Sequence, residues 1–207
     1  MEETHTQDSP DLGEHRMRQG KILPYEPSLR VPLMIRGPGI PAGQVRSDPF
    51  TMIDFAPTIL AAAGIRPPGS VDGESLLEVA RSGDRGWDRG ILTETGPRAV
   101  SQDAEESDNF LVGESGPSPL RFSQGVRTGD YLYVEHASRE RELYDLRRDP
   151  REVTNLVDRP GSRRVVRAMA HELDVLRNCV GVDCRRPLPP LLRTTSPAVP
   201  LAFGTPD

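Results

Sequence analysis

The spacing of apolar and polar positions changes several times along this chain of 207 residues. Val31 to Arg36, Val-Pro-Leu-Met-Ile-Arg, is a short apolar run stopped by the Gly/Pro-rich stretch Gly37 to Gly43, a pattern that predicts a buried strand with Pro32 near its start. From Asp54 the period becomes helical. Phe55, Ala56, Ile59, Leu60 and Ala63 fall on one stripe, Asp54 stands where a cap belongs, Pro57 is tolerated in the first turn and Gly64 ends the helix. A second short strand at Gly90 to Glu94 completes a strand, crossover helix and strand, which predicts an α/β unit.

From Pro97 to Pro119 the periodicity vanishes into Ser, Gly, Asp and Glu, which predicts an exposed, mobile insertion loop. Gln124 to Arg127 and Tyr131 to Glu135 flank a Thr-Gly-Asp turn, and Glu142 to Leu146 follows a charged turn, so a small antiparallel sheet is expected. Pro160 to Asn178 returns to helical spacing with Val165, Met169, Leu173 and Leu176 on one face, expected to cover that sheet. Repeated prolines from Arg185 to Asp207 predict a disordered tail. The divisions are therefore 1–96, 97–119, 120–184 and 185–207.

Charge narrows the partners. The formal net charge is −5 with no long basic run, which argues against nucleic acid. No apolar run approaches the roughly 18 residues of a membrane span, and Met1 is followed by Glu-Glu-Thr-His instead of a basic and then apolar leader. All but one of the 26 basic residues are arginines, a bias of the kind a GC-rich coding sequence produces. The exception is Lys21. A lone lysine in such a chain is either drift on a solvated loop or a position where a compact ammonium is required and a flat guanidinium fork will not fit.

Cys179 and Cys184, in Cys-Val-Gly-Val-Asp-Cys, are close enough to close a small disulfide loop, whereas the four histidines show no spacing that would complete a metal site with them. A disulfide favours an oxidising compartment.

Four stretches, taken in order, resemble the C-terminal portion of the sulfatase family: Arg30-Val-Pro-Leu-Met-Ile-Arg-Gly-Pro-Gly-Ile40, Asp54-Phe-Ala-Pro-Thr-Ile-Leu60 leading to Ala63-Gly-Ile65, Asp72-Gly-Glu-Ser-Leu76, and Glu142-Leu-Tyr-Asp-Leu-Arg-Arg-Asp-Pro-Arg-Glu-Val-Thr-Asn-Leu156. The last follows the family's ELYDLxxDPxExxNL segment nearly residue for residue. The resemblance covers roughly Gly13 to Cys184 and implies an α/β fold: residues 1–96 as the incomplete end of an alkaline phosphatase-like catalytic domain, then the small antiparallel sheet and helix. It implies a secreted or cell-envelope hydrolase of sulfate esters that uses calcium.

The resemblance also bears on Lys21. Sulfatases carry a sulfate-binding lysine in a segment of the form Gly-Lys followed by Tyr-Glu, and Gly20-Lys21 with Tyr25-Glu26 matches that form. A fixed cation in a dry site stabilises the charge on sulfuryl oxygens during transfer. His15, in Gly13-Glu14-His15, either lines the same pocket or is a surface histidine. Asp8, in Gln7-Asp8-Ser9, stands in the register of the family's calcium-binding Asp-Asn-Gly. It is the one residue there able to offer an oxygen ligand, and a hard divalent cation wants several.

The chain departs from the family at the nucleophile, a Cys or Ser in the pattern C/S-x-P-S/A-R that is oxidised to formylglycine. Cys179 is followed by Val-Gly, Cys184 by Arg-Arg, and Ser115-Gly-Pro-Ser-Pro119 ends in proline. No catalytic residue is therefore assigned, and the chain alone is expected to be inactive. Two other readings stand beside the sulfatase one. The first is a non-catalytic remnant or partner-binding module, and the second a phosphonate or phosphodiester hydrolase of the same fold.

Overall fold

The computed structural model describes residues 23–95 and 122–194. They form two compact units, one of residues 23–32, 92–95, 122–126 and 131–166, the other of residues 33–91, 127–130 and 167–194.

The first unit is built on a four-stranded sheet in the order β1-β2-β3-β4, with β1 Ile91–Thr95, β2 Ser123–Arg127, β3 Tyr131–His136 and β4 Arg141–Asp145. The β-branched and aromatic residues of β3 suit a strand covered on both faces, and Leu132, Tyr133 and Val134 are all fully buried. β3 and β4 pair antiparallel, with Tyr133 opposite Leu143 and Glu135 opposite Arg141. On β2, Gly125 sits where a Cβ would come within 2.6 Å of the Tyr133 carbonyl oxygen and 2.7 Å of Thr93 Oγ1, so only glycine lets the neighbouring strands approach. Beside the sheet, Tyr25 packs with Leu132, Val134 and Tyr144, flanked by Leu23, Leu29 and Leu146. Tyr25 leads into the single-turn helix α1, Glu26–Leu29, whose start Pro27 accommodates.

After β4 the chain returns along that strand's edge. Asn155 substitutes for a ladder partner: its Oδ1 accepts from Leu143 N at 3.0 Å, and its Nδ2 donates to the Arg141 carbonyl at 3.0 Å. The Asp145 carboxylate accepts from the Arg147 and Arg148 amides, and that of Asp149 from Val153 and Thr154. Asp145, Asp149 and Asn155 of the ELYDLxxDPxExxNL segment thus each satisfy backbone donors that the turns leave open.

In the second unit, helix α2 spans Phe55–Ala62 and ends at Gly64, which holds φ +73°. Asp54 is fully buried and makes no side-chain cap to α2, contrary to the expectation from its position. Its carboxylate instead accepts from Thr51 N and Glu74 N, each at 2.8 Å, and from both terminal nitrogens of Arg89 at 3.0 and 2.5 Å. A buried carboxylate persists only when paired and hydrogen-bonded in this way. Thr58 Oγ1 accepts from Leu76 N at 2.9 Å, and Gly73 lies so close to the Ile53 carbonyl that no side chain fits. The DFAPT and DGESL stretches are therefore stitched together by polar groups, and α3, Leu77–Ser82, follows directly. Helix α4, Arg163–Asn178, buries Val166, Met169, Leu173 and Leu176, with Val166 in place of the expected Val165.

Three expectations are corrected. Residues 31–36 form no strand, and Val31, Met34 and Ile35 are exposed, because a strand exists only through a paired neighbour and none of the described residues supplies one. β1 accordingly joins β2 in the sheet instead of closing a strand-helix-strand unit with residues 31–36. The stretch from Arg185, expected to be disordered, is ordered as far as Thr194: Leu188 and Leu192 are buried, and Leu188 N donates to the Asp88 carbonyl. The apolar residues between its prolines anchor it. The expected insertion at 97–119, and the tail beyond 194, lie outside the described residues.

Candidate functional site

Asp8, His15 and Lys21 lie outside the described residues, and the chain enters the structure two residues after Lys21. What is placed is the second half of the Gly-Lys…Tyr-Glu segment, and it is held tightly. Tyr25 is buried, and its hydroxyl donates to Glu142 Oε2 at 3.0 Å. Tyr144, two residues along β4, donates to the same oxygen at 3.0 Å, and the two rings meet edge to face with centroids 6.1 Å apart. Glu142 Oε1 lies 3.1 Å from Nε2 of the buried His136. One carboxylate thus gathers two phenols and an imidazole.

The next residue is held by a second carboxylate. The Glu26 backbone N–H donates to both oxygens of Glu152, at 3.2 and 3.0 Å. Glu152 is buried and holds φ +55°, a left-handed conformation costly for a side-chain-bearing residue, which aims its carboxylate at this amide. Glu142 and Glu152 both belong to the ELYDLxxDPxExxNL segment, so that motif clamps the chain just downstream of Lys21.

The electrostatics of the phenols and the carboxylate suit a clamp. Burial pushes the Tyr25 and Tyr144 hydroxyls well above the ordinary tyrosine range, and the Glu142 charge pushes in the same direction, so both stay protonated donors. Burial also acts to raise the Glu142 carboxyl, but the hydrogen bonds from His136, Tyr25 and Tyr144 outweigh it and leave the group below its ordinary value. The two phenols thus serve as fixed donors to a carboxylate that stays ionised.

Cys179 and Cys184 form a disulfide, with sulfurs 2.10 Å and Cα atoms 5.1 Å apart. Among the described residues no group of three or more His, Cys, Asp or Glu side chains could hold a metal ion, so the calcium implied by the resemblance finds no cage there. No described helix is long and apolar enough to cross a membrane. Sequence reasoning passed over Glu142, Glu152, Tyr144 and His136 as site-supporting residues. The available signal was the spacing of acidic letters in the motif, whose partners lie more than a hundred residues away.

Comparison with known proteins defines the class. Residues 13–92 match the family model described as N-sulphoglucosamine sulphohydrolase, C-terminal. Over 194 residues the chain is 34% identical to an arylsulfatase of Chlamydomonas reinhardtii, a match covering 85% of this chain and 29% of that protein. A 68-residue stretch is 44% identical to a putative extracellular sulfatase Sulf-1 homolog of Caenorhabditis elegans, covering 33% of this chain and 10% of that one. The structure of a phosphonate monoester hydrolase from Silicibacter pomeroyi superposes with a TM-score of 0.59 at 23% identity, covering 78% of this chain and 32% of that one, and shows the shared α/β fold. The chain belongs to the sulfatase family and corresponds to the C-terminal portion of its members. It spans about 29% of the length of the algal arylsulfatases it matches.

Proposed function

We propose that this chain supplies the substrate-holding C-terminal portion of a sulfate ester hydrolase, in which Lys21 grips the sulfuryl group and His15 lines the same pocket. The observation that supports this reading is the double clamp on Tyr25 and Glu26. Two carboxylates on the neighbouring motif, Glu152 buried and Glu142 half-buried, hold the chain four and five residues beyond Lys21, and an ammonium can stabilise developing charge only if its segment is held in place beforehand. An ammonium also fits a single oxygen where a guanidinium would span two.

The chain's own residues in this role bind and orient; they do not attack. Both cysteines are taken up by the bridge, so neither is available as the precursor of formylglycine, and the isolated chain is expected to turn over no ester. When bound, calcium would supply charge neutralisation at the sulfate. Asp8 would be this chain's one contribution to holding it, and no step is derived through it. The disulfide, together with relatives named as extracellular sulfatases, supports placement in a secreted or cell-envelope compartment.

The test is a complete enzyme made by fusing the chain behind the unmatched N-terminal portion of the Chlamydomonas arylsulfatase and assayed on an aryl sulfate, with an aryl phosphonate as control. Lys21→Ala and Lys21→Arg are expected to lower kcat/KM on the order of 100-fold. Unchanged sulfate turnover by Lys21→Arg would overturn the role of Lys21, and preference for the phosphonate would overturn the substrate class.

A further inference from the structure

Charge is sorted along the outside of helix α4. Arg163, Arg164, Arg167 and His171 are all exposed. At about 3.6 residues per turn and about 1.5 Å per residue, they fall within an arc of roughly 100° on the side away from the buried Val166, Met169 and Leu173, and span about 12 Å of helix. Both acidic residues of the helix have other partners. The buried Glu172 accepts from Arg186 at 2.7 Å, and Asp174 accepts from Arg177 at 3.2 Å. Arg163, Arg164 and Arg167 themselves make no ion pair among the described residues.

The arrangement does not serve the helix itself. The open N–H groups of a helix start favour anions, yet the first turn of α4 carries two arginines and no acidic residue. A cationic stripe that opposes the dipole and lacks an internal counter-charge is suited to an external anion. Guanidinium forks take oxyanions through paired, charge-assisted hydrogen bonds. An exposed helix face has no walls to enclose a small ester, so the anion that suits it is an extended chain that meets several forks at once. From Arg163 to Asn178 there is no Phe, Tyr or Trp on which a nucleic-acid base could stack. The net charge of −5 makes the chain as a whole repel polyanions, so binding here depends on the local stripe and weakens with salt.

We propose that the outer face of α4, through Arg163, Arg164, Arg167 and His171, is a docking surface for a sulfated polysaccharide, which it grips by sulfate groups other than the one being cleaved. This rests on the sulfate ester reading above, which supplies sulfate as the anion. The surface adds affinity for a polymer and nothing for a small aryl sulfate, which is too short to meet several forks.

The experiment titrates the full chain with dextran sulfate, with neutral dextran and an oligo-dT strand as comparisons. One variant combines Arg163→Gln, Arg164→Gln and Arg167→Gln. A second combines Arg66→Gln, Arg139→Gln and Arg151→Gln, three exposed arginines elsewhere, and so carries the same net charge. The α4 variant is expected to raise the Kd for dextran sulfate about tenfold or more and to flatten its salt dependence, while the second variant stays within about threefold of the native chain. Glutamine is a good helix former and removes cations from the helix start, so the α4 variant should melt no lower than the native chain. A lower melting temperature would overturn the dipole argument. Arg→Lys at the same three positions keeps the charge and should keep most of the binding. No binding of dextran sulfate by the native chain, or equal weakening by the two Gln variants, overturns the proposal; tighter binding of oligo-dT would give the surface to nucleic acid instead. Binding is read without turnover, so a fusion enzyme that fails on aryl sulfate while these binding results hold sinks the functional reading and leaves the surface. Aryl sulfate turnover with equal weakening by both Gln variants does the reverse.

Discussion

The Tyr25 hydroxyl donates to Glu142 Oε2 across 117 residues of sequence, and through that bond the edge of the four-stranded sheet holds the segment that carries Lys21. Removing the acceptor is worse than removing one donor. Glu142→Ala leaves the Tyr25 and Tyr144 hydroxyls buried without their carboxylate and is expected to cost about 2–4 kcal/mol. Tyr25→Phe leaves Glu142 two other partners and should cost about 1 kcal/mol. Urea denaturation of the two variants measures both values, and equal losses would dismiss the shared-acceptor account.

The same carboxylate predicts an acid limb in stability. Its folded pKa lies below the ordinary value of 4.5, so its contribution is fully present above that value and is lost as pH falls through the folded pKa. The tyrosines carry the opposite sign. Their folded pKa values lie above the ordinary 10.0, so their contribution is present below pH 10 and is lost as pH rises beyond it. Melting temperatures measured from pH 3 to 7 should rise with pH for the native chain, and less steeply for Glu142→Gln. Parallel curves would remove Glu142 from the account.

Arg89→Met strands the Asp54 carboxylate in a fully buried position and should destabilise by about 3–5 kcal/mol. Asp54→Asn combined with Arg89→Met should recover part of this, because the amide carries no charge and its carbonyl can still accept from Thr51 or Glu74. Additive losses in the double variant, measured by chemical denaturation, would show that the two side chains act separately.

Gly125→Ala places a methyl against the Tyr133 carbonyl and Thr93 Oγ1, and an overpacked contact of this kind costs about 1–3 kcal/mol. A fall in melting temperature of several degrees is expected. Gly161→Ala, which meets open space, serves as the control that should change little.

Local pattern alone was enough to find β2, β3, β4, α2 and the stripe of α4, because a period of two or of 3.6 is written into which side chains a strand or helix can bury. The nearness of Cys179 to Cys184 was legible for the same reason, since a separation of five residues limits how far apart they can lie. The ELYDLxxDPxExxNL letters were equally plain as a pattern, but what they do was not. Glu142 and Glu152 satisfy donors at Tyr25 and Glu26, and Asp54 turned from an expected cap into the partner of Arg89, through contacts between residues 35 to 126 apart that no local spacing encodes. The run at 31–36 reads as a strand by composition. Whether such a run becomes a strand depends on a neighbouring backbone to receive its hydrogen bonds, and that is decided in three dimensions. The prolines after Arg185 pointed to disorder because proline content reports how the backbone is constrained, while the order found there comes from Leu188 and Leu192 reaching a buried surface that only the folded chain creates.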